Sequence, residues 1–369
     1  MKTPYYLIDE ELLEKNLKVL HYVKEKTGCK ILLAQKCFSM FSVYPLIGKY
    51  LDGTTASGLF EAKLGHEEMK KENHVYSAAY RDDEIEEIMN ICDHVVFNSF
   101  NQWVKYKELA KKMNTSCGIR INPECSTQVG HEIYDPCAKY SRMGVTLDNF
   151  REDLLDGIEG LHFHTLCEQN SDDLQTTIEA IENKFGKYLG QMKWLNFGGG
   201  HHITRDDYDI ELLIKIINEI KEKYQVQVYL EPGEAIALNA GFLVSSVLDI
   251  INNGMDIAIM DTSAACHMPD VLEMPYRPDI IDSDKPGVKK YTYRLGGPTC
   301  LAGDVISDYS FDQPLKIGQQ LWFKDMAIYS MVKNNTFNGM NLPSIVLKQG
   351  DKLKVIREFG YDDFKNRLS

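Results

Sequence analysis

Cysteine pairs at metal or redox spacing are missing from this chain. Nine cysteines are scattered along its 369 residues, and no two stand as Cys-x-x-Cys. The odd, dispersed set excludes a disulfide framework and a cysteine-rich zinc module, and fits a reduced, cytoplasmic protein. Basic residues are in deficit: 41 lysines and arginines face 54 aspartates and glutamates, a net charge of −13. That balance argues against nucleic acid or an anionic membrane as partner and suits a cationic small molecule. No apolar run approaches the roughly 18 residues of a membrane span. The opening MKTPYYLIDE has no apolar segment of the signal-peptide kind. Solenoid repeats and low-complexity tracts are absent, and the adjacent His201 and His202 are too little for a metal site, so none is expected.

What the chain does have is alternation. Short β-rich runs alternate with helical patterns: KILLAQ (30–35), GTTAS (53–57), HVYSAAY (74–80), DHVVFN (93–98), CGIRIN (117–122), GLHFHT (160–165), KWLNFGG (193–199) and VQVYLEP (226–232). A helix is expected after each of the first seven, including one near LDNFREDLL. Eight such units in one domain predict an α/β fold built on a (β/α)8 TIM-like barrel. After residue 240 the texture changes. SSVLDIINNG, IAIMDTS, KKYTYRLGG, QQLWFKDMAIY and SIVLKQGDKLKVIREFG read as strands with little helix between them. We place a barrel over residues 12–238 and a mostly β domain over 239–369, joined by residues 1–11 through YYLID.

A barrel of this kind carries its site at the C-terminal strand ends. Lys36 ends the first run, Ser57 the second and Tyr80 the third. Arg120 and Asn122 end the fifth, His164 the sixth, Gly198–Gly200 the seventh and Glu231 the eighth. Each has an ordinary reading. Lys36 can snorkel into water, three glycines can make a tight turn, Glu231 can be a surface acid, and His164 can be a core histidine. Each also has a chemical one. A desolvated lysine is a Schiff-base nucleophile, bare amides cradle phosphate, and a carboxylate pairs with a protonated ring nitrogen. Taken together the second set fits pyridoxal 5'-phosphate.

The same residues carry a family resemblance. AQKCFS, HTLCEQ, FGGGH, EPGEA, GGPTCLAGDVI and MAIYSM resemble, in order, the motifs of the fold-type III pyridoxal-phosphate decarboxylases. That group includes the ornithine, arginine and diaminopimelate enzymes. HEIYDPCAKYSRMG, LHFHTLCEQ, LEPGEA and DTSAACHMPDVLEMPYRP resemble a narrower branch of polyamine biosynthesis. Its members decarboxylate carboxynorspermidine or carboxyspermidine to norspermidine or spermidine.

The resemblance implies that Lys36 holds the cofactor, His164 stacks on its ring, Gly198, Gly199 and Gly200 bind its phosphate, and Glu231 meets its ring nitrogen. Cys300 would return the proton and Tyr329 would lie near the cofactor. It further implies a homodimer with sites at the subunit boundary, Cys300 and Asp304 coming from the partner chain. Two departures matter. Glu234 stands where most relatives have a phosphate-pairing arginine, and Leu301 replaces an acid used by diaminopimelate enzymes. Glu234, Asp270, Glu273 and Asp304 are the candidates for a cationic carboxylated triamine. Arg120 and Arg142 can serve structure or phosphate, and His162 is the alternative to His164. The rivals are another decarboxylase of the group and a catalytically inactive, regulatory homologue.

Overall fold

The computed structural model describes residues 1–128 and 132–369, so the His131 that opens HEIYDPCAKYSRMG lies outside the described residues. The chain divides into two compact units, one of Lys15–Ile236 and one of Met1–Glu14 with Ala237–Ser369. Strands are numbered in chain order, and β1 (Tyr5–Asp9) belongs to the second unit.

The first unit is a closed parallel barrel, the eight-unit architecture expected from the alternation. Its strands are β2 (Lys30–Ala34), β3 (Gly53–Ala56), β4 (Glu72–Tyr76), β5 (His94–Phe97), β6 (Ser116–Arg120), β7 (Gly160–His162), β8 (Trp194–Asn196) and β9 (Gln227–Leu230). Pairing of Lys30 with Tyr229 and Ile31 with Leu230 closes the ring. Large side chains fill the interior. Leu32, Val96, Trp194 and Tyr229 form one buried cluster, with Tyr76 against it. The Trp194 indole dictates glycine on β7, beside it, and on β6, one strand further. A Cβ on Gly160 would come within 2.0 Å of it, and one on Gly118 within 2.2 Å.

The outer helices follow from pattern and caps. Ile210–Tyr224 turns Leu213, Ile216, Ile217 and Ile220 inward, the i, i+3, i+4, i+7 stripe, and Asp209 caps it by accepting from the Leu212 amide at 2.9 Å. Two expectations shorten. The third run stops at Tyr76, because Tyr80 folds back and its hydroxyl meets the Val75 and Val96 carbonyls at 3.2 and 2.9 Å. The expected helix near LDNFREDLL is only two 3-10 turns, Leu147–Asn149 and Glu152–Leu154. Between them Phe150 turns extended (ψ 131°) and sets its ring among Phe100, Phe185 and Tyr188.

The second unit is a mixed sheet ordered β13-β12-β11-β10-β1-β15-β16, with β14 also on β10. These strands are β10 (Gly241–Asn252), β11 (Asp256–Met260), β12 (Tyr291–Gly296), β13 (Val305–Phe311), β14 (Gln320–Lys324), β15 (Ser344–Gln349) and β16 (Lys352–Arg357). β1 lies between β10 and β15, antiparallel to the first and parallel to the second. β13 is a strand the sequence reading passes over. Its core includes Tyr6, Leu243, Met260, Tyr309 and Phe323. Among the described residues no helix is long and apolar enough to cross a membrane.

Candidate active site at the barrel mouth

β2 ends at Ala34, and the Cys37 and Phe38 amides both turn back onto the Ala34 carbonyl, at 3.1 and 3.4 Å. This tight turn leaves Lys36 at the rim, its side chain open to water between buried Gln35 and Cys37. The loop after β9 packs on the same turn: a Cβ on Gly233 would lie 2.5 Å from the Cys37 Cβ. Lys36 as a residue is exposed, yet protein surrounds its amine at the mouth. That desolvation, and then the Arg120 guanidinium, lower its pKa, against the pull of Cys37 and Glu231. The amine is therefore neutral more often than an ordinary lysine's. Glu61 feels the Lys36 charge as well, although burial raises its pKa overall; its carboxylate accepts from the Ser57 amide at 2.7 Å.

Glu231 follows β9 and is 7% exposed. Asn196, on β8, donates Nδ2 to its Oε1 at 2.7 Å, and His162 at the end of β7 meets its Oε2 through Nε2 at 3.2 Å. Burial raises the carboxyl's pKa, but these partners outweigh it and keep the group ionised. Buried Arg120 lies over the Tyr76 ring, 4.6 Å from its centroid, and donates to the His164 carbonyl at 3.0 Å. Arg142 is exposed; its carbonyl accepts from Asn98 at 2.8 Å.

The two histidines part company. Unbroken strand alternation would point both the same way, but β7 ends at His162, which faces Glu231. His164 lies beyond the strand against the glycine loop, its Nδ1 accepting from the Gly199 amide at 2.9 Å. Burial, with Lys36 and Arg120 nearby, drives its pKa well down, so the ring is neutral.

In the glycine loop, Gly198 and Gly200 have φ of +67° and +82°. A Cβ at Gly198, Gly199 or Gly200 would meet a carbonyl oxygen at 2.3, 2.5 or 2.0 Å. Close packing therefore demands all three. The Gly198 amide is taken by Asn196 Oδ1 at 2.9 Å, as Gly199's is by His164. Glu234 opens the short helix Glu234–Ala237, half-buried, with its charge felt by Cys167.

The remaining candidates belong to the second unit. Cys300 is exposed, its amide donating to Asn338 Oδ1 at 2.7 Å, and Leu301 beside it is exposed too. Asp304 is 4% exposed and its carboxylate is engaged by Thr299 Oγ1 (2.7 Å), Ser263 Oγ (3.0 Å) and the Ala265 amide (3.2 Å). This is a loop anchor rather than an open acid. Asp270 and Glu273 both pair with Lys333. Tyr329 stands just before the short helix Ser330–Lys333 with φ +55° and ψ −43°, a strained conformation for tyrosine.

The sequence reading expects no metal site, and packing nevertheless brings one group of metal-ligand residue types together among the described residues. Glu72, His74 and His94 lie at the other end of the barrel strands with one ligand atom each within 4.8 Å of the others. The two rings stack at 4.0 Å and 23°, and Glu72 is already met by Lys30 (2.6 Å), Tyr229 (2.7 Å) and His74 (3.0 Å). Both features oppose a shared ion. Sequence reasoning also passed over Glu61, Tyr76, Asn196 and Lys333, which come into place through packing between distant segments.

A rim amine biased toward neutrality, an ionised buried carboxylate, a neutral imidazole and a bare backbone loop suit a phosphorylated, carbonyl-bearing aromatic ring. Residues 6–327 match the family model described as pyridoxal-dependent decarboxylase, C-terminal sheet domain. The chain belongs to this family. The decarboxylase is 46% identical, over 100% of its own length and 98% of the relative's, to carboxynorspermidine/carboxyspermidine decarboxylase of Campylobacter jejuni. It is 42% identical to carboxyaminopropylagmatine decarboxylase of Synechocystis, over 100% and 96%. The crystal structure of carboxynorspermidine decarboxylase from C. jejuni, complexed with norspermidine, superposes with a TM-score of 0.93 at 45% identity, covering 100% of both chains. The decarboxylase also shares its fold with diaminopimelate decarboxylase of Helicobacter pylori (TM-score 0.83, 19% identity, 100% and 97% covered).

Proposed function

We propose that this decarboxylase removes the α-carboxylate of a carboxylated triamine, carboxynorspermidine or carboxyspermidine, in polyamine biosynthesis, and that pyridoxal 5'-phosphate is held at the barrel mouth. The observation that carries the substrate is the full-length identity of 46% with a relative of that name. When bound, the cofactor supplies the electron sink for carbon–carboxylate cleavage.

The chain's own residues do the rest. Lys36, its amine biased toward the neutral form, would hold the cofactor through the carbonyl group. Glu231 would hold the ring nitrogen, His164 the ring face, and the Gly198–Gly200 loop the phosphate. With the Gly198 and Gly199 amides engaged internally, Gly200 is the stronger contributor there. Glu234 cannot pair with phosphate and is assigned instead to a substrate ammonium. Cys300, exposed on its loop, returns the proton to the substrate carbon, with Tyr329 near the cofactor. Asp304 is withdrawn from substrate binding by its three internal donors. A substrate ammonium at Asp270 or Glu273 would compete with Lys333. We assign a homodimer in which Cys300 serves the partner's Lys36.

CO2 release from cofactor-loaded protein tests the reading, with carboxynorspermidine, carboxyspermidine, carboxyaminopropylagmatine, diaminopimelate, ornithine and arginine compared side by side. Release from carboxynorspermidine and carboxyspermidine is expected. Preference for carboxyaminopropylagmatine, diaminopimelate, ornithine or arginine would overturn the substrate while leaving the family in place.

A further inference from the structure

We propose that His162 is a positioning residue that holds Glu231 as an oriented carboxylate through its Nε2–H. The inference rests on the cofactor reading above, in which Glu231 meets the ring nitrogen. His162 is 2% exposed and closes β7. Its Nε2 lies 3.2 Å from Glu231 Oε2, and its Nδ1 has no partner among the described residues. A nitrogen facing a carboxylate carries the proton, and a second proton on the unpartnered, buried Nδ1 is disfavoured. The ring is thus a neutral donor. It cannot swing away without leaving Tyr76, on which it stacks at 5.5 Å and 16°. Tyr76 is fixed in turn by its hydroxyl on Asn98 Oδ1 at 2.7 Å and by Arg120 over its ring.

Asn196 holds the other oxygen of Glu231, so the two donors set the plane of the carboxylate. Without the His162 donor, a carboxylate this buried takes up a proton at higher pH. A protonated Glu231 cannot balance a proton-bearing ring nitrogen. His162 thereby acts on the cofactor without touching it. Lys36, Arg120, His74, His94 and His201 also act on Glu231 electrostatically. They are common to every variant below, which isolates the histidine.

The test is equilibrium binding of pyridoxal 5'-phosphate to cofactor-free full-length protein from about pH 5.5 to about pH 8.5, a range that brackets a raised carboxyl pKa. Wild type, His162→Leu and His162→Gln are compared. The wild-type pH profile, which includes the ionisation of the Lys36 amine, is the reference for both variants. His162→Leu should bind about tenfold more weakly at neutral pH, as for loss of a hydrogen bond to a charged group, and weaken further as pH falls. His162→Gln, which keeps an N–H donor, should recover most of the loss. Equal weakening at every pH, or no recovery by glutamine, would reduce His162 to packing and overturn the proposal. A measurement free of variants is the 15N spectrum of His162 in the wild type. The neutral Nε2–H tautomer at neutral pH is expected; a cation or the Nδ1–H form overturns the proposal. Wild-type protein without a Lys36-dependent absorbance band on adding the cofactor would instead bring down the cofactor reading, and this proposal with it.

Discussion

Lys36 shows how far one position can be read. Its place after an apolar run was visible in the chain, because strand and turn are local. Its lowered pKa was not, because Arg120 and the protein around the mouth arrive from other strands. The direction has a consequence. Imine formation needs the free amine, so reaction with pyridoxal phosphate should set in at lower pH than for exposed lysines. Lys36→Ala should lose the cofactor's absorbance band and lower CO2 release by at least about 10³-fold, as for loss of a covalent catalyst. Asp304 marks the opposite limit. As one acid in a glycine-rich loop it reads as a ligand for a cation, and only the structure shows Thr299, Ser263 and Ala265 converging on it. Asp304→Ala leaves those donors without their acceptor. It should cost about 2 kcal/mol in urea unfolding, with Asp304→Asn costing less.

Among the elements, the eight barrel strands were legible because each is a short β-rich run bounded by helical periodicity. Their ends were less so. Tyr80 looked like the close of a strand, yet its hydroxyl reaches back to two strand carbonyls. β13 was missed because its run, VISDYSF, follows directly on the cysteine loop and mixes polar with apolar positions. The pairing of Gly118 and Gly160 with Trp194 was illegible, since the three lie on different strands. It makes a definite demand: Gly160→Ala should destabilise the protein by about 1–3 kcal/mol through overpacking. Pairing it with Trp194→Leu should recover part of that loss, a coupling that thermal melts of the single and double variants would measure.

At the scale of the whole molecule, Lys36 and Cys300 lie in different compact units. If the sites are shared between subunits, mixing inactive Lys36→Ala and Cys300→Ala proteins under exchange should restore activity. One intact site in the mixed dimer predicts recovery to about a quarter of wild type. No recovery would place both residues of a site in one chain. The seat of β1 between β10 and β15 bears on how the protein is made. A ribosome delivers β1 first and β15 some 335 residues later, on the order of half a minute at ordinary elongation rates. The barrel can close during that wait, but β1 has no neighbour until β10 emerges and keeps its other edge unpaired until β15 follows. Its apolar YYLID then stands as an unpaired edge on a nascent chain. Slower translation beyond residue 240 should therefore lower soluble yield in proportion to the delay, and a chaperone that shields extended apolar segments should restore it.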